Sequence, residues 1–251
     1  CCVRRRAWRS SSLAGAAWLV SRVGAGSERD DDGWTLSGAW TEGPPPRRAV
    51  GCSVASAAVV AAVERAARAV GLAGIEWMPS QASFRGEVTL VNGYLDPTQL
   101  GADRWHALLG ACARLPGSPL VVVNAGTATT VDCVRAGEDG SRFVGGCIAP
   151  GVRLMLESLA RNTAGLPLAT GAPVDFPDTT DKAIVTGVLD AQAGLVERVW
   201  RRFSAGLDRA PRLLLAGGHA ELLAARLARE LAPLIEHDLV LRGLAQRASL
   251  R

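Results

Sequence analysis

The chain has 251 residues, 48% of them hydrophobic and 21% charged, which excludes a disordered or fibrous protein and allows two domains of ordinary size. Its net charge of +4 resides mostly in arginines of residues 1–50, so the basic stripe of a nucleic-acid binder is absent and nucleic acid is not an expected partner. No apolar run is long enough for a membrane-spanning helix, and the six cysteines, with no CxxC pair or zinc spacing, read as buried thiols of a reducing cytoplasm.

Residues 1–50 read as irregular. Arg4-Arg5-Arg6 followed by the apolar 13–20 has the outline of a signal peptide, yet no initiator Met precedes it and no small-x-small site follows, so a leader is not expected. The acidic Asp30-Asp31-Asp32 and the breaker Gly43-Pro44-Pro45-Pro46 follow. A strand is predicted over 49–54, then an Ala-rich helix over 57–70 that Gly71 ends. Residues 87–92 are β-rich and lead through Gly93-Tyr94 to the turn former Asp96-Pro97.

A helix is predicted over 104–114, with Leu108, Leu109 and Cys112 on one face. Leu115-Pro116-Gly117-Ser118-Pro119 then breaks the chain, and we expect the domain boundary there, giving an N-terminal domain 1–115 and a C-terminal domain 116–251. The apolar run 120–123 has the pattern of a strand buried on both faces. A second strand over 130–134 turns at 137–140 into a third at 142–144. Helices over 152–161 and 180–200, a strand over 212–216 and a helix over 220–229 complete an α/β order with glycines where strands meet helices.

Four motifs carry candidate chemistry. Asn124-Ala125-Gly126-Thr127-Ala128-Thr129-Thr130 follows the buried strand: glycine allows close backbone approach, and hydroxyls and amides suit phosphate oxygens, although a plain hairpin turn fits equally. Leu100-Gly101-Ala102-Asp103-Arg104-Trp105 places an acid and a base at a helix start, where an N-cap aspartate is the ordinary explanation. Gly145-Gly146-Cys147-Ile148-Ala149-Pro150-Gly151 reads as a strand exit with bare backbone. Leu213-Leu214-Leu215-Ala216-Gly217-Gly218-His219 is again strand, glycines and helix, suited to a nucleotide, with His219 more simply structural.

Taken together and in this order, these motifs resemble the successive signatures of type III pantothenate kinases. The resemblance spans residues 92–246 and includes Gly93-Tyr94, Asn162-Thr163-Ala164, and Thr180 with Ala183-Ile184. It implies a two-domain α/β fold of the actin-like (ribonuclease H-like) class, shared with sugar kinases and the Hsp70 ATPase, with a ligand cleft between domains. It implies ATP-dependent phosphorylation of pantothenate, the first step of coenzyme A biosynthesis. Asp103 would be the general base; Tyr94, Gly101, Ala102, Asp103, Arg104 and Thr180 would hold pantothenate, with Arg104 on its carboxylate. Gly126, Thr127, Gly217 and Gly218 would face ATP. Mg2+ would accompany ATP, a homodimer would be the working form, and the cytoplasm its location.

The chain departs from that pattern twice. An Asp-x-Gly-Asn-Ser/Thr loop after an N-terminal strand is not found; the nearest candidate, Gly24-Ala25-Gly26-Ser27, has neither a preceding Asp nor a leading strand of the right form. Residues 33–40 look like a strand, and 1–32 read as foreign to the fold, so a catalytically impaired binding or regulatory protein is the alternative. Asn124 stands where many members place an aspartate that binds a monovalent cation, K+ or NH4+, which puts cation dependence in doubt.

Overall fold

The computed structural model describes residues 16–21, 48–69 and 71–249, so Gly24-Ala25-Gly26-Ser27, the expected strand over 33–40 and the proline breaker at 43–46 lie outside the described residues. The described residues form two sheets. The smaller has the order β1-β2-β3, with β1 at Ala16–Ser21, β2 at Arg48–Ser53 and β3 at Ile75–Trp77, all parallel. Parallel β2 and β3 require a crossover, which α1, Ala57–Ala69, supplies; the chain leaves α1 through Gly71 at φ 87°.

The larger sheet has seven strands in the order β10-β9-β6-β7-β8-β5-β4. Here β4 is Ser83–Arg85, β5 Thr89–Asn92, β6 Leu120–Ala125, β7 Ala128–Gly137, β8 Gly140–Pro150, β9 Arg212–Ala216 and β10 Leu234–Ile235. Strands β6, β7 and β8 form an antiparallel meander, while β9 and β5 join in parallel on either side. Although β4 and β5 precede α2 (Ala102–Arg114) in the chain, Leu90 and Phe143 are fully buried together in the core of this sheet.

Alternation along β6 and β9 explains the layers. Val122 and Leu214 point into a core with Trp105, Leu108 and Leu109 of α2, whereas Val121, Val123, Leu213 and Leu215 point into a second core with Ala193, Val196 and Val199 of α4 (Thr180–Ser204). The last helix, α6 at Leu239–Ala248, packs on α2 and also meets the smaller sheet, where Val50 and Cys52 bury against Leu244 and Ala248. Helices α2 and α6 therefore form the layer between the two sheets.

Several expectations need correction. The opening is not irregular throughout: Ala16–Ser21 forms β1 beside β2, so a strand does precede Gly24-Ala25-Gly26-Ser27. The 145–151 motif is not a strand exit, because β8 stays paired with β7 as far as Pro150, with a register shift at Cys133/Val134 and Gly145 at φ 129° absorbing the irregularity. The helix expected over 220–229 is the short α5, Ala220–Ala224. Beyond it Ala228 N–H donates to Glu197 on α4 at 3.0 Å and Arg226 pairs with Asp190 and Asp175, which diverts the chain.

Candidate active site

Asp103 sits in the first turn of α2, whose N-cap is Gly101 and not the aspartate. Its Oδ1 accepts the Arg104 N–H at 2.8 Å, and a Cβ on Gly101 would come within 2.8 Å of that oxygen. The glycine thus leaves room for a carboxylate folded back over the helix start, half-buried, with Val54 from the end of β2 alongside. Gly101 and Ala102 are likewise half-buried.

The neighbouring Arg104 is 5% exposed, and three of its five N–H donors are engaged. Nε donates to Asp132 Oδ2 at 3.1 Å, Nη2 donates to Asp132 Oδ1, and Nη1 donates to the Tyr94 hydroxyl at 3.1 Å. Its guanidinium carbon also lies 5.7 Å from the Tyr94 ring centre and 5.8 Å from that of Phe143, in cation–π range. Burial acts to lower the arginine pKa, but the hydrogen bonds and charge of Asp132, with Tyr94, raise it overall, so Arg104 stays charged.

Asp132, 2% exposed, comes from the middle of β7 and is the residue that sequence reasoning missed. Burial pushes its carboxyl upward against the pull of Arg104, and Asp103 adds to the upward push. A Cβ on Gly146, the facing residue of β8, would come within 2.1 Å of Asp132 Oδ1, so that glycine is a requirement of the ion pair. The Thr130 side chain hydrogen-bonds Asp132 from the same face of β7, and Thr130 pairs with Asn124 across β6. The available signal was an acid inside an apolar strand, which is tolerable only with a buried partner.

Tyr94 is fixed from both ends. Its N–H donates to Asn92 Oδ1 at 3.1 Å, its ring packs tilted at 49° against Phe143 with centroids 5.2 Å apart, and buried Asn92 donates to the carbonyls of Gln81 and Pro97.

A second group gathers at the ends of β6 and β9. Gly126 and exposed Thr127 form the turn between β6 and β7. Gly151 N–H donates to the Thr127 carbonyl at 2.9 Å, and His219 N–H donates to the Ala125 carbonyl at 3.1 Å. Gly217, at φ 97°, lies so close that a Cβ would meet the Ala125 carbonyl at 2.4 Å and Asn124 Oδ1 at 2.8 Å. Asn124, Gly126, Thr127, Gly217 and Gly218 therefore share one mouth of the sheet, linked through Thr130 and Asp132 to the arginine cluster.

Thr180 stands apart. It opens α4, but the cap is Thr179, whose hydroxyl accepts the Lys182 N–H at 3.4 Å. Thr180 instead lines an apolar groove of about 500 Å³ between α4 and α3 (Val152–Asn162), beside Met155, Leu159 and Ile184, and hydrogen-bonds neither group above.

Known proteins resemble this chain in sequence and fold. The family described as type III pantothenate kinase matches residues 18–202. A type III pantothenate kinase of Cupriavidus taiwanensis is 47% identical over 76% of this chain and 71% of its own length. One of Laribacter hongkongensis is 43% identical over 82% of this chain and 81% of its own. A crystal structure titled as a Baf family transcriptional activator from Campylobacter jejuni superposes at a TM-score of 0.51, 19% identical, over 81% of this chain and 83% of that one, which shows the fold. The expected α/β class is borne out by the mixed sheet and its covering helices, and the chain belongs to the type III pantothenate kinase family.

Proposed function

We propose that this protein transfers the γ-phosphoryl group of ATP to the primary hydroxyl of pantothenate, the first step of coenzyme A biosynthesis. Family membership gives the reaction, and the observation that carries it to particular residues is Asp103 at the start of α2, beside a buried Arg104 locked by Asp132 and Tyr94. Asp103 accepts the hydroxyl proton as the oxygen attacks phosphorus, a contribution typically of ~10²–10⁴-fold. Arg104, through the Nη edge beside Tyr94, and Gly101-Ala102 orient pantothenate by its carboxylate. Thr180 contributes to that site through the dimer.

Gly126, Thr127, Gly217 and Gly218 receive ATP, since the turn offers amide and hydroxyl donors to phosphate oxygens and bare backbone to the nucleotide. That donor set suits an anion, so Mg2+ is taken to arrive on the triphosphate, where it neutralises charge on the transferred group. Asn124 offers an oxygen without charge, so a strict K+ or NH4+ requirement is not part of the proposal. The working form is taken to be a cytoplasmic homodimer; separately, Cys52, Cys112, Cys133 and Cys147 are free thiols, and no helix among the described residues is long and apolar enough to cross a membrane.

ADP release coupled to pantothenate addition tests the reading. Asp103→Asn is expected to lower kcat about 10²–10⁴-fold with little change in pantothenate KM. Full activity in that variant would remove the proposed base, and no ADP release from the unsubstituted protein would leave a binding protein.

A further inference from the structure

Gln192 lies mid-way along α4 and is 2% exposed. Its Nε2 donates to the Pro150 carbonyl at 2.8 Å and touches Met155 Sδ at 3.0 Å, while its Oε1 is buried without a partner. Leaving a buried amide half-satisfied typically costs ~1–3 kcal/mol, a penalty that leucine or methionine in the same stripe would avoid. Packing therefore does not account for a glutamine here.

What the amide holds is the joint next to the nucleotide-facing turn. Pro150 ends β8, and the following Gly151 is pressed onto that turn: its N–H donates to the Thr127 carbonyl at 2.9 Å, and a Cβ would come 2.1 Å from the Gly126 carbonyl oxygen. With so little slack, any displacement of Pro150 passes to Gly126 and Thr127. Just past the turn, Thr129 is fully buried and its hydroxyl also has no partner. Strand alternation sets Thr129 on the same sheet face as Val131 and Cys133, which pack against α4. Two orphaned polar groups thus flank one short stretch of backbone.

We propose that Gln192 is a positioning residue for the phosphate-binding turn, clamping Pro150–Gly151 so that Gly126 and Thr127 keep the spacing that ATP needs. The clamp runs from α4, which also carries Thr180, and so ties the groove side of the protein to the nucleotide side. The inference rests on the assignment of that turn to ATP.

Gln192→Met keeps the length and removes the donor. With ATP and pantothenate varied separately, it is expected to raise the KM for ATP, and the Kd of a non-hydrolysable ATP analogue, about tenfold or more, as a misplaced positioning group does. Pantothenate KM and the melting temperature stay near those of the unsubstituted protein. Unchanged analogue affinity, or both KM values and the melting temperature worsening together, would overturn the proposal. Hydrogen exchange on the unsubstituted protein gives a second reading that no folding defect can obscure. The analogue is expected to slow exchange at 126–128 and 151–153 together. Protection at 126–128 alone would refute the clamp, and protection at neither would refute the ATP assignment and the clamp with it.

Discussion

Asp132 is an acid whose whole environment is protein: Arg104 on two oxygens, Thr130 from its own strand and Gly146 against it. Removing one partner of a buried pair strands the other charge, at about 3–5 kcal/mol. Asp132→Ala is therefore expected to lose stability on that scale in denaturant melts, and Asp132→Asn, which keeps the shape and one acceptor, distinctly less. His106 makes a second residue-scale prediction. Its Nδ1 donates to the Ala102 carbonyl at 2.6 Å and its Nε2 accepts from Arg247 at 3.1 Å, the pattern of a neutral ring. Burial drives its pKa from 6.5 to about 4, against the Ala102 hydrogen bond and with Arg247's help. A depressed folded-state pKa means that the unfolded chain takes up the proton first. The resulting stability is complete above pH 6.5 and drains as pH falls towards 4, by on the order of 3 kcal/mol, and His106→Gln should flatten the pH dependence of unfolding in that window. At Asn124 the expectation is kinetic: exchanging K+ for a large organic cation leaves turnover unaltered, whereas Asn124→Asp installs a cation dependence that the same assay detects.

Elements with a strong local signature could be read from the sequence, and those made by tertiary contact could not. The strand at Leu120–Ala125 announces itself by an unbroken apolar run, and α2 and α4 by their spacing and flanking breakers. In the site, Tyr94, Asp103 and Arg104 stood out as polar groups at element ends, while Asp132 was hidden because β-branched neighbours made its strand look purely structural. Strands β3, β4 and β10 are too short to show a period. Helix α6 was missed for a physical reason: Gly243 in its middle argues locally against a helix, but a Cβ there would lie 1.9 Å from the His106 carbonyl oxygen on α2. Gly110 of α2 meets the Leu239 carbonyl equally closely, so the two helices cross backbone to backbone. Gly243→Ala, which would stabilise an isolated helix, is expected to destabilise this protein by ~1–3 kcal/mol or more through overpacking, read as a drop in melting temperature.

At the scale of the molecule, the separation of Thr180 from Asp103 asks for a second chain. The α3–α4 groove is apolar, and Leu154, Leu168 and Phe176 are exposed on or next to the elements that line it, at 43%, 58% and 93%. Exposed apolar side chains suit an interface, and the proposed homodimer, if formed there, would supply Thr180 to its partner's site. Gly187 gives a clean test, because it lines the groove and nothing stands within 4 Å of where its Cβ would be. Gly187→Arg has room for its Cβ and improves helix propensity, yet it places a charge in the groove. Sedimentation is expected to find the unsubstituted chain at twice its 26.2 kDa mass and the variant at that mass alone. If Thr180 acts across the interface, the variant's pantothenate KM rises while its ATP affinity holds, since the turn at Gly126 and Thr127 is built within one chain. A variant that sediments as a monomer with both parameters unchanged would confine Thr180 to a structural part in the groove.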